Sequence, residues 1–119
     1  MKIAVSAQKP ELDNEVDPRF GRARWIVIYD TENGKVESID NSENLNAVQG
    51  AGIKTAELVV EKDCQVVLTG HLGPKAFKVL KAAGVRGYNK ARGTVRQAIE
   101  AFKRSELKEA KEADVNSYW

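Results

Sequence analysis

Val66-Val67-Leu68-Thr69-Gly70-His71-Leu72-Gly73-Pro74-Lys75-Ala76 changes its periodicity halfway along. The apolar run Val66-Val67-Leu68 has the length and branching of a buried strand. From Ala76 onward, Phe77, Val79, Leu80 and Ala83 recur at helical spacing. Gly73 and Pro74 suit the N-cap and first-turn positions of that helix, because proline has no N–H to lose and its φ matches the first turn. A strand–turn–helix junction directs unpaired backbone N–H groups, and the positive end of a helix dipole, at one place. Such a place attracts anions. The chain's only histidine, His71, lies within it.

The flanking sequence repeats the alternation. Lys2 to Ser6 is a short strand, and Trp25-Ile26-Val27-Ile28-Tyr29 is apolar on both faces and therefore central, with Trp25 as core. Between them residues 7–23 form a long loop, acidic first (Glu11, Asp13, Glu15, Asp17) and basic at its end (Arg19, Arg22, Arg24 just beyond). Asn33-Gly34 signals a two-residue hairpin turn. The chain then returns through Lys35 to Asp40, with Val36 its clearest inward residue, and Asn41 to Gln49 reads as polar loop. Gly50-Ala51-Gly52 opens a helix striped by Ile53, Ala56, Val59 and Val60. After the central junction, Ala83-Gly84 is a helix stop and Val85 to Tyr88 a last strand. Thr94-Val95-Arg96-Gln97 is a capping box opening a helix with Val95, Ala98, Ile99 and Phe102 on one face.

The order β, β, β, α, β, α, β, α predicts an α/β fold: a three-layer α/β/α sandwich over a mixed five-stranded sheet whose second strand is antiparallel. Residues 1–105 form one domain. Residues 106–119 are a C-terminal extension, helical over Glu106 to Ala113 and frayed from Val115 to Trp119.

With 19 basic and 17 acidic residues, the net charge of +2 is too balanced to argue for nucleic acid. No apolar run approaches the roughly 20 residues of a membrane span. Met1 to Val5 is too short for a signal segment, so a cytoplasmic location is expected. One cysteine, Cys64, excludes an internal disulfide or an all-thiolate metal site. It precedes the fourth strand, away from the junction, and reads as a small packing residue.

Strand direction gathers the loops. The C-terminal ends of strands one, three, four and five, and the N-terminal end of strand two, share one edge, where ligands of open α/β sheets bind. Arg19, Gly21, Arg22 and Arg24 come from one loop, Gly50 and Gly52 from the next, then Gly70, His71 and Gly73, and finally residues 89–94 with Lys90 and Arg92. The glycines permit close backbone approach and the cations supply charge. Taken singly, each glycine suits a helix cap and each arginine a solvated surface. Their convergence favours a binding site for an anion.

At these loops Val16-Asp17-Pro18-Arg19-Phe20-Gly21-Arg22-Ala23, Gly50-Ala51-Gly52-Ile53-Lys54-Thr55-Ala56 and Gly73-Pro74-Lys75-Ala76-Phe77 occur in order. Together they resemble the dinitrogenase iron–molybdenum cofactor biosynthesis family. Its members include NifX- and NafY-like proteins and small stand-alone members such as the orange protein of sulfate reducers. The likeness spans residues 2–104. It implies a ribonuclease-H-like fold and non-catalytic binding or carriage of a molybdenum-containing metal–sulfur cluster, of Fe–Mo–S or Mo–Cu–S type. It also implies cluster-donor or cluster-acceptor proteins as partners, with neither nucleic acid nor membrane.

Such a cluster brings its own sulfides, so it needs N–H donors, cations and one replaceable ligand. Neutral imidazole ligates transition metals, which makes His71 the candidate. His71 could instead donate a hydrogen bond to the cluster without bonding the metal, or stand by. A two-metal nuclease is excluded, since strand one carries no carboxylate and strand four reads Val66-Val67-Leu68-Thr69. The acids from Glu11 to Asp17 then read as a solvated face. A module for a nucleotide or another phosphate ligand is the alternative, although no Walker lysine or complete dinucleotide motif is present.

Overall fold

The structure, a computed structural model, describes residues 1–47 and 50–115. Five strands, β1 (Lys2–Ala7), β2 (Trp25–Asp30), β3 (Val36–Asp40), β4 (Val66–Leu68) and β5 (Arg86–Tyr88), form one sheet in the order β3-β2-β1-β4-β5. β1 pairs antiparallel with β2 and parallel with β4; β2 pairs antiparallel with β3, and β4 parallel with β5. Strand two alone runs against the rest, as the hairpin signal implied.

Helices α1 (Ser42–Leu45), α2 (Ala51–Glu61), α3 (Pro74–Ala82) and α4 (Val95–Lys103) complete the fold. The alternating side chains of each strand feed two cores. Ala4, Ile26, Ile28 and Val67 pack with α2 and α3 through Ala56, Val59, Ala76 and Leu80. Ile3, Val5, Val27, Val66 and Leu68 pack with α4 through Val95, Ala98 and Ile99.

Five local expectations change. The β2–β3 pairing closes at Asp30 and Lys35, so four residues rather than two make the turn; among the described non-glycine residues Asn33 lacks the positive φ that a two-residue I′ turn needs, while Gly34 has φ 73°. Val36 is 43% exposed, because β3 is the outermost strand while α4 lies over β1; Ile39 is the residue of β3 that packs inward. Trp25 is only half-buried, with the Arg24 guanidinium 5.7 Å from its ring centroid. The loop from Asn41 contains α1, four residues long and too short to show a period. Its anchor is the buried Asn41, whose Nδ2 donates to Ala23 O at 3.0 Å and to Thr55 Oγ1 at 3.1 Å.

The fifth change is at the end of the chain. Residues 106–113 are not helical: Glu109 bridges Tyr88, and Ala110 N–H donates to Gly87 O at 2.7 Å. With few apolar side chains to pack a helix, this segment takes hydrogen bonds from the open edge of β5 instead. Of the stretch expected to fray, Val115 to Trp119, only Val115 is described, in a bend; residues 116–119, Trp119 included, lie outside the described residues, as does Gln49.

Candidate functional site

The predicted loops do meet, and backbone contact is what joins them. Asp17 N–H donates to Ser6 O at the end of β1. The Ser6 hydroxyl donates to Asp17 O and lies 2.7 Å from Thr69 Oγ1 at the end of β4. Asp17, expected on a solvated face, is 8% exposed and accepts from Arg19 N–H at 2.9 Å. Glu11, Asp13 and Glu15 are exposed as expected; Asp13 pairs with Arg96 at 2.8 Å, which keeps its carboxyl below the usual range. His71 N–H donates to Pro18 O, and Lys90 N–H, at a positive φ of 65°, to Gly70 O.

These approaches explain two of the glycines. A Cβ at position 70 would stand 2.6 Å from Pro18 Cα, and one at position 21 only 2.7 Å from Gly52 Cα. Neither distance is attainable, so glycine at these positions lets loop pack on loop. The same sites were expected to admit a ligand; their immediate neighbours are other parts of the chain. Gly50 is different, with φ 78° and open space where a Cβ would be.

All four described helices begin at this edge, and they are treated differently. α1 starts with Ser42 N–H donating to Asp40 Oδ1 at 2.9 Å. α4 is closed by its capping box: Thr94 Oγ1 accepts from Gln97 N–H at 3.1 Å and Gln97 Oε1 from Thr94 N–H at 2.9 Å. α2 and α3 begin with Gly50 and Gly73, and neither has a side-chain cap or an acidic residue in its first turn. Their starts are also adjacent, since a Cβ at position 52 would lie 3.3 Å from that of Ala76. Two positive helix ends are thus juxtaposed without any anionic side chain from either helix.

The cations divide by role. Arg24 forms a two-pronged pair with Asp40, at 3.1 and 3.2 Å, and with the Ser42 N–H this holds the Asp40 carboxyl down at about 2. Arg22 Nη1 donates to Leu45 O at 2.7 Å and Ala47 O at 3.1 Å, tying the Phe20–Arg22 3-10 turn to α1. Arg19 is held loosely, its Nε 4.0 Å from Asp17 Oδ1 and its side chain 54% exposed. It lies alongside His71 in a short parallel bridge. Lys75 and Lys90 are exposed nearby, in the first turn of α3 and in the loop after β5.

The sequence reading missed the partner of His71. Its Nδ1 is 2.8 Å from Asp114 Oδ2, 43 residues away. Nothing in the pattern around Asp114 could have revealed this, because the contact depends on how the last segment crosses β5. A groove of about 1190 Å³ opens there, bordered by His71, Lys90, Arg92, Ala101 and the segment ending at Asp114.

Among the described residues no three His, Cys, Asp or Glu side chains are grouped to hold a bare ion. Cys64 is buried beside α2 and α3 at the opposite edge, and burial pushes its thiol up to about 11. Backbone N–H groups, cations and one imidazole fit a preformed anion that carries its own sulfides. Among the described residues no helix is long and apolar enough to cross a membrane.

The sequence matches the family described as dinitrogenase iron-molybdenum cofactor over residues 1–105. The chain is similar to the orange protein of Desulfovibrio gigas, solved in its apo form, with 40% identity, a TM-score of 0.93 and 96% of each chain covered. It is also similar to a Thermotoga protein described as a candidate NifB protein, with 37% identity, a TM-score of 0.80 and 91% of each chain covered. An uncharacterised protein of Methanocaldococcus jannaschii shares 29% identity over 109 residues, 90% of this chain and 89% of that one.

Proposed function

The chain belongs to the dinitrogenase iron–molybdenum cofactor family, and from that premise we propose that it is a non-catalytic cytoplasmic carrier of an anionic molybdenum-containing metal–sulfur cluster, of Fe–Mo–S or Mo–Cu–S type, or of its precursor. The observation that carries the reading is the adjacent pair of helix starts, α2 and α3, with neither side-chain caps nor first-turn acids. Their N–H groups, with Arg19 and the backbone of Gly50, Gly52, Gly70 and Gly73, receive the anion. His71 supplies the one exchangeable metal ligand. Arg22 and Arg24 act at one remove, by holding the loops.

Weak attachment fits a carrier, since a cargo held by N–H donors and one imidazole can be released to an acceptor protein. Cluster-donor and cluster-acceptor proteins are therefore the partners. The binding unit is residues 1–105. The helices on both faces of the sheet support a three-layer, ribonuclease-H-like arrangement.

Phosphate is the competing anion, because helix N-termini serve it equally. Anaerobic purification followed by metal analysis and visible spectroscopy separates the two. The carrier reading expects molybdenum together with sulfur-to-metal charge-transfer absorption. A colourless protein that retains a nucleotide and takes up no thiomolybdate would overturn it.

A further inference from the structure

We infer that Asp17 tempers the site: its carboxylate competes with the anionic cargo for the Arg19 guanidinium, and so sets how readily the cargo is released. The inference rests on the carrier reading, in which Arg19 receives the anion, and makes Asp17 a positioning residue for that arginine.

Asp17 is fixed where Arg19 is not. Its N–H donates to Ser6 O at 2.8 Å and its carbonyl accepts from the Ser6 hydroxyl at 2.7 Å, both at the buried end of β1. Its Oδ1 accepts from Arg19 N–H at 2.9 Å, across Pro18. The Asp17 side chain is 12% accessible, against 54% for that of Arg19. Arg19 Nε stands 4.0 Å from the same Oδ1, beyond hydrogen-bond length. The carboxylate is therefore anchored through its backbone and its turn, whereas the guanidinium is held only by loose ion pairing, which is weak at an exposed position.

The turn needs an oxygen at position 17, not a charge. An Asp or Asn side chain accepts from the N–H two residues on, and a serine hydroxyl does so more weakly. The charge is thus surplus to the local structure. It also belongs to the loop that joins the receptive edge: Pro18 lies against Gly70, and Gly21 against Gly52 at the start of α2. The helix starts there bring no acid of their own, since neither α2 nor α3 has one in its first turn. A fixed negative charge beside a loosely held arginine engages part of the attraction that an incoming anion would otherwise have to itself. A carrier gains from this, because its cargo must leave.

Asp17→Asn keeps an oxygen for Arg19 N–H and removes the charge. Anaerobic titration of the full chain with tetrathiomolybdate plus cuprous ion should show about 2- to 5-fold tighter uptake in Asp17→Asn than in wild type, with slower release. The gain should shrink as salt rises. The same change on an Arg19→Gln background should bring no gain. Damage to the loop would act in the opposite direction, as a loss.

Unchanged or weaker uptake by folded Asp17→Asn overturns the inference and leaves the carrier reading standing. So does a gain that persists undiminished with Arg19→Gln, since the carboxylate would then repel the anion directly. Should Asp17→Asn fail to fold, Asp17→Ser removes the same charge and is read in the same way. In wild type the Arg19 Nε–H signal in nitrogen-15 NMR should move when thiomolybdate binds, and a fixed signal overturns the inference whatever the variants do. Wild type that takes up no thiomolybdate removes the carrier reading, and the inference with it.

Discussion

The two edges of this sheet are made from the same strands and helices, yet they differ in what each leaves unsatisfied. At the far edge α2 is capped by Lys62 and α3 by Ala83, the latter followed by Gly84 with φ 75°. There the last carbonyls of α3 accept from Ala83 and Gly84 N–H, and Lys81 and Lys103 stand in the last turns of α3 and α4, where cations complement the dipole. At the near edge α4 is closed by Thr94 and Gln97 and the first N–H of α1 is taken by the Asp40 carboxylate, whereas α2 and α3 have no side-chain cap. The far edge satisfies its helix ends internally; the near edge leaves two of them for something external. A single fold can therefore be stable at one edge and receptive at the other.

The glycines should break this comparison most forcefully. Gly70→Ala must displace Pro18, and Gly21→Ala must displace Gly52, at an expected cost of about 1–3 kcal/mol each. Gly84→Ala, with open space around it, should cost only the left-handed backbone, about 1 kcal/mol. Urea unfolding of the three variants tests the difference, and equal losses would mean that loop-on-loop contact does not organise the near edge.

Next comes the cap. Thr94→Ala should lower stability by about 1 kcal/mol while leaving thiomolybdate uptake unchanged, because the start of α4 serves only itself. Reduced uptake in a folded Thr94→Ala protein would bring α4 into the site.

The arginines sharpen the contrast at smaller scale. Arg19→Gln should weaken anion binding by on the order of 1 kcal/mol, less as salt rises. Arg24→Gln should barely affect binding. It should instead alter the acid limb of stability: the Asp40 carboxyl is depressed in the fold, from an ordinary 3.8 to about 2. Its contribution is therefore present above about pH 4 and lost as pH falls through about 2. Acid titrations of both variants, followed by circular dichroism, measure this.

The smallest expected effect on cargo is at the far edge. Cys64→Ala should leave cluster uptake unaltered. The thiol, raised from 9.0 to about 11 by burial, stays protonated and should resist alkylation in the native protein at neutral pH. Its raised value makes the related stability complete below about pH 9 and lost as pH rises through about 11. Rapid native-state alkylation at neutral pH would show that this edge is open.

Much of the frame was legible because local chemistry repeats itself along the chain. The Gly73-Pro74 start, the Ala83-Gly84 stop and the Thr94–Gln97 box all occur where their backbone preferences put them. The misreadings share a cause, which is dependence on distant neighbours. Val36 looks inward by pattern, but inwardness requires a covering helix, and β3 has none on that face. Glu106 to Ala113 looks helical by composition, but an open strand edge offered better hydrogen bonds.

By itself the sequence determined the strand and helix types, the sense of the second strand and the edge at which the loops gather. Periodicity, caps and direction are properties of adjacent residues and of chain order. Tertiary structure decided which charges remain available and which glycines face other backbone. Arg24 is bound to Asp40, Arg22 to carbonyls of the α1 segment, and His71 to Asp114. Electrostatic attraction and close packing act across space, so partners 16, 23 and 43 residues apart become neighbours only when the chain has folded.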